Sequence, residues 1–139
     1  MNEYLKKNIL KYKDAAEKYK PKPTKLKLLF IAESPPYLNS TEELRYFYFE
    51  KLFKYDYLFK CISEVILPDD FIKLKNNLVE KKDLLNQLKI NGVFLIDACD
   101  FSINHLADED ANKIINDNFD KLIDNINKII SSETKIILI

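Results

Sequence analysis

The stretch "KLLFIAESPPYLNS" (residues 27–40) sets an apolar run directly against a carboxylate, a serine and two prolines. Residues 26–32 are too few for a helix and are bounded by turn chemistry, the pattern of a strand buried on both faces of a parallel sheet. In open parallel sheets ligands bind outside the carboxyl ends of the strands. Glu33, Ser34, Pro35 and Pro36 are therefore delivered to the edge where a site is expected.

Upstream of this strand, Leu5, Ile9, Tyr12, Ala16 and Tyr19 recur at spacings of four and three, which predicts a helix from Tyr4 or Leu5 to Tyr19. Pro21-Lys22-Pro23 stops it. Downstream, Ser40-Thr41-Glu42-Glu43 forms a capping box and predicts a helix beginning near Thr41. That helix would carry "RYFYFEKLFKYDYLF", in which Tyr46, Phe47, Tyr48, Phe49, Phe53, Tyr55, Tyr57 and Phe59 exceed what one helix face can bury. Pro68-Asp69-Asp70 opens a further helix, with room for a break, to about Lys89. Asn91-Gly92 then punctuates the chain before a second strand, "VFLIDA". Asp108-Glu109-Asp110 suits a first helical turn, and Ile115, Phe119, Leu122, Ile126 and Ile129 form the apolar stripe of a helix ending near Ser131. "KIILI" is a third buried strand. Strands alternating with such helices make a βαβαβ pattern with right-handed crossovers. The expected fold is α/β, a three-layer α/β/α sandwich on a parallel sheet. It forms one domain over residues 1–139, with an N-terminal helix over 1–20 and the core over 26–139. A chain stopping flush on a buried strand reads as C-terminally incomplete.

The length of 139 residues suits one domain, and 47% hydrophobic with 32% charged residues is ordinary for a globular protein. No apolar run approaches the roughly 18 residues that span a bilayer. The charged N-terminus lacks the apolar core of about 7–15 residues that a secretory signal needs, so no membrane partner and a cytoplasmic location are expected. A single glycine, Gly92, excludes both the G-x-G-x-x-G fingerprint and the phosphate loop. Cys61 and Cys99 form no C-x-x-C pair, which argues against a zinc ribbon, a redox pair or an iron–sulfur cluster; they read as reduced, mostly buried thiols. No cofactor and no metal are expected. Net charge is zero, yet nine lysines up to Lys27 face only Glu3, Asp14 and Glu17. This basic segment either approaches phosphates or is a solvated lysine face.

The second strand brings Asp97, Cys99, Asp100, Ser102 and Asn104 to the same edge as Glu33. Asp97 lies in an otherwise apolar strand end, "FLIDACD", where a charge is costly without a partner. Such a carboxylate is functional, paired, or bonded to the backbone of its own turn. Glu33 is equally open to reading as a loop carboxylate or helix-cap partner. His105, in the loop after the second strand, reads as an ordinary loop residue. Three uses of this edge are considered. Metal-dependent phosphoryl chemistry of the Toprim type also places a Glu after a first strand, but needs an Asp-x-Asp that "DACD" does not supply. A non-catalytic interaction or nucleic-acid-binding domain needs only the sheet, helices and aromatic patch.

The third use comes from a resemblance. "LLFIAESPP" resembles the first motif of the uracil-DNA glycosylase superfamily, an apolar strand followed by a Gly-Glu-x-Pro-Gly or related turn. Ala32-Glu33-Ser34-Pro35-Pro36 matches at the Glu and first Pro and departs at both glycines. The resemblance implies hydrolysis of a base–sugar N-glycosidic bond on a nucleotide swung out of DNA. Glu33 would stabilise the oxocarbenium-like sugar or orient water. Tyr46, Phe47 and Tyr48 would supply the ring on which the base stacks, and the rigid Pro35-Pro36 turn would press on the strand. Asp97 would stand where the family has an Asn that reads the base edge, with Asp100 beside it among the substrate-binding residues. An ionised Asp97 only accepts hydrogen bonds, which suits an amino group better than a uracil carbonyl. The family's late His motif would follow Ile139, so this chain is expected to be inactive as it stands. DNA or a nucleotide is the implied partner.

Overall fold

The computed structural model describes residues 3–37 and 42–139. Helix α1 covers Glu3–Lys18 and buries Tyr12 at its centre, with Tyr19 buried just past its end. Strand β1 is Leu28–Ala32 and strand β2 is Val93–Asp97, paired in parallel from Leu28↔Val93 to Ala32↔Asp97. Strand β3, Lys135–Leu138, lies parallel to β1 on its other side, giving the order β2-β1-β3. Between β1 and β2 run α2 (Tyr57–Ile66), α3 (Pro68–Lys75) and α4 (Lys81–Ile90); between β2 and β3 run α5 (Asp108–Asp117) and α6 (Phe119–Ile129). The fold is α/β with a small parallel sheet, as the alternation of elements predicts.

The first crossover runs from β1 to β2, and the second runs back from β2 past β1 to β3, in the opposite direction. Right-handed connections of this kind would set α2–α4 and α5–α6 over opposite faces. Coverage of the sheet is uneven. Leu29 and Ile31 of β1 are buried while Leu28, Phe30 and Ala32 are half-buried, an alternation that corrects the expectation of equal burial on both faces. All four residues of β3 are exposed, so the third strand is an edge and not the buried strand its composition suggests. Gly92 turns the chain into β2 at φ 71°, and a Cβ there would sit 2.2 Å from the Lys25 carbonyl oxygen. Only glycine fits, because its carbonyl must also reach the N–H groups of Lys27 and Leu28, at 2.7 and 3.0 Å.

Three further expectations are corrected. The capping residues Ser40 and Thr41 lie outside the described residues, and residues 42–56 form no helix. A turn closed from Phe49 N–H to Tyr46 C=O, at 3.1 Å, lets four consecutive rings point in different directions. Tyr46 meets Tyr12 at 4.6 Å between centroids, Phe47 meets Phe59 at 5.8 Å and Tyr48 meets Phe94 at 5.3 Å. No helix could bury them all, since neighbouring side chains on a helix diverge by a large angle. The helix expected over 108–131 is instead two, because Asn118 folds its side-chain amide back onto the Ile114 carbonyl at 2.8 Å. Cys99 is buried, but Cys61 is exposed; both are free. Among the described residues no helix is long and apolar enough to cross a membrane.

Candidate functional site

The parallel pairing of β1 and β2 continues past the strand ends. Ala98 N–H donates to Ala32 C=O at 2.7 Å and Cys99 N–H to Glu33 C=O at 3.1 Å. Ile103 N–H then reaches the Ser34 hydroxyl at 3.2 Å. These bonds zip the two loops together at the carboxyl edge of the sheet. Register now decides which side chains meet. Ala32 is opposite Asp97, so both point to one face, and side chains one residue along point to the other. Ala32, Ser34 and Pro36 accordingly line a cavity of about 240 Å³ together with Phe47, Asp97 and Asn104. Glu33 falls on the opposite parity. It is exposed and lines neither of the two cavities that Asp97 lines.

Asp97, half-buried, is the centre of this edge. Its Oδ2 has no hydrogen-bond partner. Burial pushes the carboxyl from the ordinary 3.8 up to about 7, a hydrogen bond from the Tyr46 hydroxyl works against that rise, and the Asp100 charge adds to it. Tyr46 and Asp97 form a wall shared with a second cleft of about 330 Å³, on the α1 and α6 side, where Tyr12, Pro35 and Asp100 also lie. Burial, Tyr4 and Asp97 push the Tyr12 hydroxyl up to about 12, and burial with Asp97 holds Tyr46 higher still, so both stay neutral.

Tyr46 is held in place by groups far away in sequence. The ammonium of Lys81, 1% exposed, donates to the Asp56 carboxylate at 3.1 Å and to the Tyr46 carbonyl at 3.3 Å, and lies 4.8 Å over the Phe59 ring. Asp56 Oδ2 also accepts the Phe53 N–H at 2.9 Å. Burial lowers the Lys81 pKa and Asp56 opposes that shift. Neither Lys81 nor Asp56 was legible as part of the site. They lie 25 residues apart, on elements whose contact only the crossover creates, and nothing in either local sequence signals a buried ion pair.

The remaining expected residues divide sharply. Phe47 lines the 240 Å³ cavity, as does Tyr46. Tyr48 does not, and its expected role as a stacking ring is corrected. Its hydroxyl accepts the Leu95 N–H at 2.6 Å and donates to the Leu95 C=O at 2.9 Å, satisfying the free edge of β2 with one side chain. Pro36 is exposed at the cavity, whereas Pro35 is buried and faces the second cleft. Asp100 is a tether between elements: it accepts from Lys121 at 2.6 Å and Lys13 at 3.3 Å. Burial works against its charge, but these two lysines hold its carboxyl below the usual range. His105 stacks on Tyr37 at 4.3 Å in the loop after β2. No family model, curated protein or solved structure matches the chain.

Proposed function

We propose that the chain is a nucleobase-recognition domain of uracil-DNA-glycosylase type, in which the cavity beside Asp97 receives a base swung out of DNA. The observation that carries this reading is the unpartnered, buried oxygen of Asp97 at the wall of a cavity built from the β1 loop and an aromatic segment. At about 240 Å³ the cavity is smaller than the roughly 300–1,000 Å³ typical of drug-sized ligands, which suits a single heterocycle. Phe47 and Tyr57 offer ring faces, the Ser34 hydroxyl and Asn104 amide offer polar contacts, and Asp97 addresses the base edge. In the glycosidic reaction such a site holds the leaving base while water attacks the sugar.

A second reading is recognition without cleavage. It is favoured by Glu33, which the register of β1 turns to the opposite face from Asp97. One assay separates the two. Duplexes carrying a deaminated or alkylated base next to 2-aminopurine are titrated with the protein, and abasic sites are scored afterwards by alkaline cleavage. Fluorescence should rise with wild-type protein and with Glu33→Gln, and fail to rise with Asp97→Ala. Abasic product would support hydrolysis, and its loss in Glu33→Gln would restore Glu33 to the reaction. A fluorescence rise unchanged in Asp97→Ala, or none at all, overturns base recognition at this cavity.

A further inference from the structure

Asp97 is half-buried and lines two cavities, yet its surroundings do not suit a negative charge. Its Oδ2 has no partner. Charged and titratable groups line both cavities beside it. From α1 come Tyr12 and, further along the shared cleft, Lys13 and Glu17, with Lys20 just past its end; from α6 comes Lys128. From residues 42–56 come Tyr46 and, across the smaller cavity, Arg45, Tyr55 and Asp56, and from the start of α2 comes Tyr57. From its own loop come Cys99 and Asp100. Of these, Lys13 is bonded to Asp100, Lys20 to Glu17 and Asp56 to Lys81. Among the described residues no lysine or arginine, Arg45 and Lys128 included, forms an ion pair with Asp97. A carboxylate left in this position would be a buried charge without a counterion.

Building on the base-recognition reading, we infer that Asp97 meets its ligand as the neutral acid, presenting one O–H donor beside one carbonyl acceptor. This names the ligand class. The neutral acid complements an edge that offers one acceptor and one donor side by side: the lactam edge of a uracil-type base or the amino–imine edge of a cytosine-type base. A carboxylate would instead select an edge with two donors. Uracil, which an ionised Asp97 disfavours, therefore returns as an acceptable ligand. Tyr46 is a positioning residue here, because its hydroxyl favours the charged form and so works against burial in fixing where the acid is lost.

The test is binding of free uracil and free cytosine, followed by calorimetry from pH 6 to pH 8.5. For wild-type protein the affinity should fall roughly 30-fold over that range, since only the protonated fraction binds. Asp97→Asn carries a permanent donor and acceptor, and should bind with little change across the same range. Tyr46→Phe keeps the ring and removes the hydroxyl, and should move the midpoint of the wild-type profile to higher pH. Affinity that rises with pH, or that is flat in wild-type protein, overturns the neutral-acid inference while leaving base recognition standing. Binding of neither base at any pH, in wild-type protein and in Asp97→Asn alike, removes both.

Discussion

The ends of β1 and β2 deliver two carboxylates to the same edge of one sheet, a single residue out of register, and the fold treats them in opposite ways. Asp97 pairs with Ala32 and is carried inward, under Tyr46 and against a cavity; Glu33, one step further along β1, is carried outward and exposed. The two-residue period of a strand is enough to separate them. Around Asp97 the chain has built supports: Tyr46, the Lys81–Asp56 pair beneath it and the Tyr48 hydroxyl on Leu95. Glu33 contributes its carbonyl to the loop zipper, and its carboxylate adds to the burial that pushes the Cys99 thiol up. Burial of a polar group at a cavity wall is therefore what distinguishes the two, rather than their position along the strands.

That difference can be broken most forcefully from below. Replacing Lys81 with Ala strands the buried Asp56 carboxylate and releases the Tyr46 carbonyl, at an expected cost of about 3–5 kcal/mol in urea unfolding. A loss under about 1 kcal/mol would mean that the pair does not anchor the aromatic segment.

The next effect sharpens the contrast directly, through pH. In the unfolded chain Asp97 titrates near 3.8, and in the folded chain near 7. Between those values the native state holds a proton that the unfolded state has released, so stability falls as pH rises through the window and the full penalty stands above it. Three pH units correspond to about 4 kcal/mol. Asp97→Asn should therefore be more stable than wild type by up to about 4 kcal/mol at pH 8, with the gain vanishing toward pH 4. Glu33→Gln should stay within about 0.5 kcal/mol at both. Equal behaviour of the two variants would erase the distinction between the two carboxylates.

The smallest effect concerns the frame. Tyr48→Phe keeps the ring and removes the hydroxyl, leaving the Leu95 N–H and C=O unpaired at the edge of β2. A loss of about 1–3 kcal/mol in urea unfolding is expected, and the Asp97 pH profile should be retained because the strand itself remains paired to β1.

Much of this was written locally. The period of Leu5, Ile9, Tyr12, Ala16 and Tyr19, the apolar runs before Glu33 and Asp97, and the turn at Asn91-Gly92 each describe a single element, and short-range sterics and burial are sufficient to form them. Parallel pairing follows from their alternation, and with it the meeting of Ser34 and Asp97 at one edge. The aromatic segment departs from the helix its capping pattern predicts because such a pattern speaks only for its own few residues, whereas the course of residues 42–56 is set by which distant rings they can reach.

The sequence by itself determined that a strand would carry Glu33, and another Asp97, to the carboxyl edge of a parallel sheet, because both follow apolar runs that cannot be left in water. Only the tertiary structure decided that Asp97 faces a cavity and Glu33 faces solvent, that Tyr46 is held by Lys81, and that Tyr48 closes a strand edge. Each of those depends on register or on contacts between residues far apart in the chain, and a local pattern carries no information about either.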